Sequence, residues 1–295
     1  MKKTTALTLI LWFLVLGSFA LASFPSSSKL KIFISVDMEG ISGVISGEET
    51  DQGGRDYGLF RQLMTEEVNA AIEGALQAGA TEIVVRDAHG SALNILPHLL
   101  NPEALLIREW SQGPLDMMEG IDKTFDAVFF IGYHAQAGTP DAVLKHTING
   151  TIYDLKLNSK VVPEVGLNAA IAGYFGVPVA LVTGDLAATR QAEEVLGDVS
   201  TVAVKEGIGK AGKMIHPEKT RKLIKAAAVE ALGNLARYKP FKLTSPVTME
   251  ITFTREDLAA KASWIPGARR TGNRSVAFTH QDLIEVMKFY LIAAG

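Results

Sequence analysis

The strongest constraint on the fold is an alternation of short apolar segments with helical segments between residues 31 and 204. Residues 31–36 read KIFISV, a β-branched run typical of a strand buried on both faces of a parallel sheet. Residues 60–76 then place apolar side chains at helical spacing, and residues 82–86 (EIVVR) supply the next strand. Because such strands connect by right-handed crossovers, we predict an α/β fold with a mostly parallel sheet and helices on both faces.

Further strands of the alternating part are expected at residues 104–107, 127–131, 178–183 and 201–204. In the last third of the chain the alternation weakens, which predicts a smaller α+β unit there. Residues 147–162 carry two turn signals and are expected to form a hairpin excursion from the sheet. A terminal helix capped by Thr279 is expected at the end of the chain. We therefore divide the chain into an α/β domain over residues 29–205 and an α+β domain over 206–295.

The N-terminal 22 residues have the pattern of a secretory signal peptide. Lys2 and Lys3 precede an apolar run, and Ala20-Leu21-Ala22 supplies a small-x-small cleavage site before Ser23. The alternative is a single membrane anchor, because the run approaches the length of a spanning helix. The favoured interpretation predicts an exported protein, located in the periplasm or secreted to the medium.

Composition limits the kinds of site that the chain can build. The sequence has no cysteine and six histidines, so thiolate metal sites and cysteine nucleophiles are excluded. A formal net charge of −3 argues against a nucleic-acid binder, which would normally show a basic face.

Histidines and carboxylates collect where the predicted strands end. Ligands of open α/β sheets bind beyond the carboxyl ends of the strands. The side chains in these positions are Asp37 and Glu39 after the first strand, Asp87 and His89 after the second, His134 after the fourth, His146 at the start of the hairpin, and Glu164 at the next helix. Imidazole with carboxylate suits Zn²⁺ or Mn²⁺ hydrolase sites, often with two ions. Asp37 as a loop cap and Glu39 as a solvated side chain remain the alternative.

Several motifs resemble those of the DppA-type zinc-dependent D-aminopeptidase family. They occur in the family's order over the first two thirds of the chain. The matching segments are SVDMEGISG at residues 35–43, MTEE at 64–67, DAH at 87–89, GYHA at 132–135, EVGLN at 164–168 and VTGD at 182–185.

The resemblance implies two zinc ions per subunit and a ligand set for each. The residue matching Asp37 bridges both ions in that family. Glu39 and His134 match the residues that complete the protein shell of one ion, and His89 and Glu164 those of the other.

The resemblance also implies a catalytic residue, an assembly and a substrate class. His146 falls where the family has its catalytic histidine, although its flanking sequence matches more loosely than the ligand motifs. The family forms a ring-shaped homodecamer that encloses a channel, which would restrict access to small peptides. The resemblance also implies a substrate with an N-terminal D-amino acid, such as a D-alanyl dipeptide.

Two other functions remain open at this point. A dimetal hydrolase of other small amides or phosphate esters would use the same ligand chemistry. An exported solute-binding protein would share the signal peptide and the α/β architecture, but it would not require clustered histidines and carboxylates.

Overall fold

A computed structural model describes residues 29–295, which form two β-sheets and the helices packed around them. The signal peptide expected at residues 1–22 lies outside the described residues. The strands are β1 (Leu30–Val36), β2 (Ala80–Asp87), β3 (Ala104–Ile107), β4 (Ala127–Tyr133), β5 (Ile152–Leu157), β6 (Lys160–Val161), β7 (Val179–Asp185), β8 (Ser200–Ile208), β9 (Ala211–Met214), β10 (Val247–Phe253), β11 (Arg269–Gly272) and β12 (Ser275–His280). The α-helices are α1 (Gly47–Thr50), α2 (Tyr57–Gln77), α3 (Glu164–Tyr174), α4 (Leu186–Leu196), α5 (Pro217–Gly233), α6 (Glu256–Ala262) and α7 (Leu283–Ala294).

The larger sheet has seven strands in the order β3-β2-β1-β4-β7-β8-β9. All neighbouring strands are parallel except β8 and β9, which pair antiparallel. Side chains of β1 alternate between two cores: Ile32 and Ile34 face the core that includes α2 and α5, and Phe33 faces the core that includes α3. Helices therefore cover both faces, and the predicted fold class is confirmed.

The smaller sheet is antiparallel, with the order β11-β12-β10-β5-β6. The expected hairpin at residues 147–162 is present as β5 and β6, and it pairs with β10 from the C-terminal third. Helices α6 and α7 pack on this sheet, as expected for an α+β unit.

Sheet membership does not follow the boundary expected between residues 205 and 206. Strands β5 and β6 belong to the smaller sheet although they precede that boundary, and β9 completes the larger sheet although it follows it. Helix α5 also packs on α2 of the larger unit. The division into domains 29–205 and 206–295 stays a prediction. Each of the two sheets contains at least one strand from the other side of that boundary.

The expected cap of the terminal helix is wrong by three residues. Thr279 lies in β12, and the helix begins at Leu283, because the side chain of Asp282 accepts the N–H of Ile284 at 2.9 Å. Within the described residues no helix is long and apolar enough to cross a membrane.

Candidate metal centre

The structure brings together all six residues expected at the site. Four of them follow three adjacent strands of the larger sheet, in which β1 lies between β2 and β4. Asp37 and Glu39 follow β1, His89 follows β2, His134 follows β4, His146 lies in the segment before β5, and Glu164 begins α3. Of these residues, Asp37, Glu39, His134 and Glu164 are buried.

Two glycines allow the loop after β1 to lie directly against the end of β4. The N–H of Gly40 donates to the carbonyl of Gly132 at 2.7 Å, and the N–H of Asp37 donates to Ile131 at 2.8 Å. A Cβ added at Gly40 would lie 2.1 Å from the carbonyl oxygen of Tyr133, which no side chain could tolerate. The close approach therefore requires glycine, and it places Asp37 beside His134.

Each histidine at the site has one ring nitrogen against a backbone carbonyl. His89 Nε2 lies 3.1 Å from the carbonyl oxygen of Thr50, His134 Nδ1 lies 3.0 Å from that of Ala135, and His146 Nδ1 lies 2.8 Å from that of Leu144. A carbonyl oxygen can only accept, so these nitrogens carry the proton. The other ring nitrogen of each histidine is thereby left to bind a cation or a proton, which is the arrangement typical of metal-binding histidines.

The remaining ring nitrogens face carboxylates. His89 Nδ1 lies 3.1 Å from Asp37 Oδ1 and 3.0 Å from Glu39 Oε2. His134 Nε2 lies 3.4 Å from Asp37 Oδ2 and 3.1 Å from Glu164 Oε1. The two oxygens of Asp37 therefore point to different histidines, as a bridging carboxylate would.

Two groups of three residues have the spacing of metal ligands. The ligand atoms within each group all lie within 4.8 Å of one another. One group is Asp37, Glu39 and His89, and the other is His134, His146 and Glu164. The resemblance instead pairs Glu39 with His134 and His89 with Glu164, so the division of the ligands between two ions stays a prediction.

The pKa values of the carboxyl groups reflect a buried site that favours positive charge. Burial and the neighbouring Glu39 carboxylate raise the pKa of Asp37 to about 7. Burial would also raise the pKa of Glu39, but His89 holds it well below its ordinary value. Burial likewise opposes ionisation of Glu164, whose pKa is nevertheless lowered by His134.

The pKa values of two imidazoles are raised by the neighbouring carboxylates. Burial alone would lower the pKa of His89, but the carboxylates of Glu39 and Asp37 outweigh it and raise this pKa to about 12. Burial of His134 is outweighed by Glu164, and the pKa of His134 rises to about 10. Three carboxylates and two imidazoles thus share a site that positive charge stabilises, as protons or as metal ions.

Buried polar atoms without hydrogen-bond partners also indicate a metal centre. Among residues 29–295, the buried atoms without a hydrogen-bond partner include Asp37 Oδ2, Glu39 Oε2 and His134 Nε2. Leaving buried polar atoms unpaired is costly, and metal coordination would satisfy all three. The donor set of imidazole and carboxylate, without thiolate, suits Zn²⁺.

His146 lies at the edge of this cluster. Its ring stacks on that of His134, with centroids 3.8 Å apart and planes inclined by 16°. Its Nε2 is 3.9 Å from Glu164 Oε1, and its side chain is about one third exposed. His146 therefore faces the cavity more openly than either of the other two histidines.

Several residues that support the site have no signal in the sequence pattern. Lys205 of β8 is buried, and its ammonium group donates to the carbonyls of Glu39, Ile41 and Val44, which fixes the loop after β1. Asp116 and Tyr290 line the cavity beside the metal centre, although they are far apart in the chain. Only the three-dimensional arrangement identifies these contacts.

Two strand-end carboxylates have roles other than metal binding. Asp87 accepts the backbone N–H groups of Asn94 and Ile95, and thereby folds the loop that carries His89. Asp185 caps α4 through the N–H of Ala188 and also accepts the N–H of Val143.

Comparison with known proteins assigns the chain to a family. The model of a family described as D-aminopeptidase matches residues 30–292. The chain belongs to the D-aminopeptidase family. The D-aminopeptidase of Bacillus subtilis (strain 168) is 38% identical over 265 residues, which cover 89% of this chain and 96% of that protein.

A solved structure agrees with this D-aminopeptidase assignment. It is described as the Zn-dependent D-aminopeptidase DppA from Bacillus subtilis, a self-compartmentalizing protease. The match has a TM-score of 0.87 at 38% identity and covers 90% of this chain and 97% of that one. The expected family and enzyme class, a peptide-bond hydrolase of the metallo-aminopeptidase type, are confirmed, and the alternative of a solute-binding protein is set aside.

Proposed function

We propose that this D-aminopeptidase is a dizinc enzyme that removes an N-terminal D-amino acid from short peptides such as D-alanyl dipeptides. The observation that carries the proposal is the orientation of the three histidines. Each gives one ring N–H to a backbone carbonyl, and in His89 and His134 the other nitrogen faces two carboxylates. The zinc dependence of the Bacillus subtilis relative supports the choice of metal.

Five residues would hold the two ions, namely Asp37, Glu39, His89, His134 and Glu164. Bound zinc supplies Lewis acidity, which activates water near neutral pH and polarises the scissile carbonyl. Backbone donors keep the carboxylates in place: the N–H of Met38 donates to Asp37 Oδ1 at 2.9 Å, and that of Ile148 donates to Glu164 Oε1 at 2.7 Å.

His146 is the proposed proton-transfer residue. Its Nδ1–H is committed to the carbonyl of Leu144, so the lone pair lies on Nε2. Nε2 is therefore the atom that takes a proton from the attacking water and returns it to the leaving amine. Stacking on His134 fixes the plane in which this nitrogen acts.

The cavity beside the ligands suits a small substrate. It has a volume of about 310 Å³, which is at the lower end of the range for small-molecule sites. Trp110, Met117, Ile148 and Tyr290 contribute apolar surface to its wall. A self-compartmentalizing relative supports a homo-oligomer, and we propose a ring-shaped homodecamer whose channel restricts entry to short peptides.

A comparison of substrates at fixed zinc tests this function. The zinc-loaded protein should hydrolyse D-Ala-D-Ala, leave L-Ala-L-Ala essentially uncleaved, and lose activity in chelator until Zn²⁺ is restored. Asp37→Ala should reduce turnover by orders of magnitude, since both proposed ions lose a ligand. Faster cleavage of a phosphodiester than of D-Ala-D-Ala, or full turnover by the Asp37 variant, would contradict the proposal.

We further propose that the protein is exported and processed before Ser23. The support is the basic, apolar and small-residue pattern of residues 1–22. N-terminal sequencing of the protein recovered from the periplasm or medium should begin at Ser23. Recovery of the intact N-terminus in the membrane fraction would instead indicate an anchor.

A further inference from the structure

The cavity beside the metal centre contains a carboxylate that the metal site does not use. Four carboxylates line this cavity: Asp37, Glu39, Glu164 and Asp116. The first three belong to the two groups with metal-ligand spacing. Asp116 belongs to neither group, so it remains available to a substrate.

The position of Asp116 is fixed by two parts of the chain. It begins a 3₁₀-helix (Asp116–Met118), and its Oδ2 accepts the hydroxyl of Tyr290 in α7 at 3.0 Å. The backbone of Asp116 has a φ of 51°, in the left-handed region that few residues other than glycine adopt. Strained backbone of this kind often serves to hold a functional side chain in place.

Asp116 has no cationic partner among residues 29–295. None of the ion pairs in this part of the chain includes it. The nearby guanidinium group of Arg86 instead stacks on Trp110, 4.6 Å from the ring centroid, and donates to the carbonyl of Glu109. The Asp116 carboxylate is partly buried, and Arg86 does not approach it to ion-pair distance, so a cationic group of a ligand in the cavity would give it a close partner of opposite charge.

The pKa of this carboxyl group is consistent with such a role. Burial raises the pKa of Asp116 to about 6; the hydroxyl of Tyr290 and the charge of Arg86 lower it, while Glu164 and Glu119 raise it. The group is therefore mostly ionised at neutral pH, where an α-amino group with a pKa of about 8 is mostly protonated.

We propose that Asp116 binds the α-ammonium group of the substrate and thereby selects peptides with a free N-terminus. The inference rests on the proposed function, since it assumes that the bound ligand is a peptide whose first carbonyl lies at the metal centre. A carboxylate at a fixed place in the cavity distinguishes a free amine from a blocked one by a charge-assisted hydrogen bond. Tyr290 acts as a positioning residue, because its hydroxyl orients the carboxylate.

The test compares two zinc-binding hydroxamates that differ in the amino group alone. D-alanine hydroxamate carries the ammonium group, and propionohydroxamate lacks it. The zinc-loaded protein should bind the amino compound about ten- to a hundred-fold more tightly, as expected for one charge-assisted hydrogen bond. Asp116→Asn should reduce this preference to near one, with unchanged zinc content and unchanged affinity for propionohydroxamate.

Matched variants separate recognition from stability. Asp122→Asn makes the same substitution at an exposed turn in the same part of the chain, and it should keep the preference. Asp116→Glu keeps the charge and should retain part of the preference. If Asp116→Asn does not fold, Asp116→Ser provides a second neutral variant with a smaller side chain.

The outcomes also distinguish this inference from the proposed function. A preference that persists in the neutral variants, or that is absent from the unaltered protein, would overturn the role of Asp116. Hydrolysis of D-Ala-D-Ala by the unaltered protein is measured separately. Turnover without an Asp116-dependent preference would refute this inference alone, whereas an Asp116-dependent preference without turnover would refute the proposed function.

Discussion

At the scale of single residues, His134 and His146 are two stacked imidazoles with different surroundings. His134 is buried, and its Nε2 faces carboxylate oxygens of Asp37 and Glu164. His146 is partly exposed, and its Nε2 is 3.9 Å from Glu164. The same side chain therefore serves two purposes in our account, as a ligand in one case and as a proton carrier in the other.

This difference predicts different effects of two alanine substitutions on the zinc content. His146→Ala should lower kcat about 10²- to 10⁴-fold, as is typical for loss of a general acid or base, while the zinc content stays at two ions per chain. His134→Ala should reduce both activity and zinc content. Elemental analysis alongside peptide kinetics measures both quantities. Loss of one zinc ion from the His146 variant would show that His146 is a ligand.

Glu67 provides a pH-dependent test of the surroundings of the site. It is buried on α2, and its Oε1 accepts the N–H of Ser42 at 2.8 Å. Burial raises its pKa to about 7, against the hydrogen bond from Ser42 and the charges of Lys205 and Arg221. A carboxyl group whose pKa is higher in the folded state stabilises the fold at low pH, and this contribution is lost as pH rises towards the folded-state pKa.

We therefore expect the unaltered protein to lose stability relative to Glu67→Gln as pH rises. The unfolding free energy of the unaltered protein, minus that of the variant, should fall between about pH 4.5 and pH 7, by about 1.4 kcal/mol per unit of pKa shift. Chemical denaturation of both proteins at several pH values measures the difference. A difference that is constant over this range would contradict the assigned pKa shift.

At the scale of secondary-structure elements, Lys205 connects β8 to the loop that carries the first ligands. Its three hydrogen bonds satisfy the carbonyls of Glu39, Ile41 and Val44. Replacement by methionine would leave these acceptors without their donor, at a cost of about 1–3 kcal/mol for each group that becomes unsatisfied. The loop would then hold Glu39 less firmly.

Lys205→Met should accordingly destabilise the protein by several kcal/mol and weaken zinc binding. Lys213→Met is a suitable control, because Lys213 is an exposed residue of the neighbouring strand β9 whose ion pair, with Glu206, lies at the surface. Denaturation curves and zinc titrations of both variants measure the two effects. Unchanged zinc affinity in the Lys205 variant would show that the loop keeps its conformation without this contact.

The same elements show which features the sequence could predict. Periodicity predicted β1, β2, β4 and the helix α2 between the first two, because a buried strand and an amphipathic helix each have a local signature. The polar residues after those strands were expected to meet, since parallel strands end at one edge of a sheet. The site was accessible to sequence reasoning for this reason.

Other features depend on contacts between distant segments and have no local signature. Strands β5 and β6 have the sequence pattern of a hairpin, but the place of β5 beside β10 depends on pairing with residues about a hundred positions later. Lys205 looks like an ordinary charged residue until its ammonium group is seen among three carbonyls. Asp116 and Tyr290 meet only because α7 returns to the cavity.

At the scale of the whole molecule, the proposed ring would control which peptides reach the metal centre. The mass of the processed protein in solution, measured by light scattering or native mass spectrometry, should be ten times that of one chain. Long peptides should be cleaved much more slowly than dipeptides with the same N-terminal residue. A monomer with full activity on D-Ala-D-Ala would contradict the proposed assembly, although it would leave the metal centre unaffected.

The central claim is that two zinc ions on this set of histidines and carboxylates produce D-aminopeptidase activity. Its most direct test is a titration of the metal-free, processed protein with Zn²⁺, in which hydrolysis of D-Ala-D-Ala is measured at each step. The account predicts activity that rises to a plateau at two equivalents per chain, with L-Ala-L-Ala left uncleaved throughout. Activity that is independent of zinc, complete at one equivalent, or equal for both stereoisomers would contradict it.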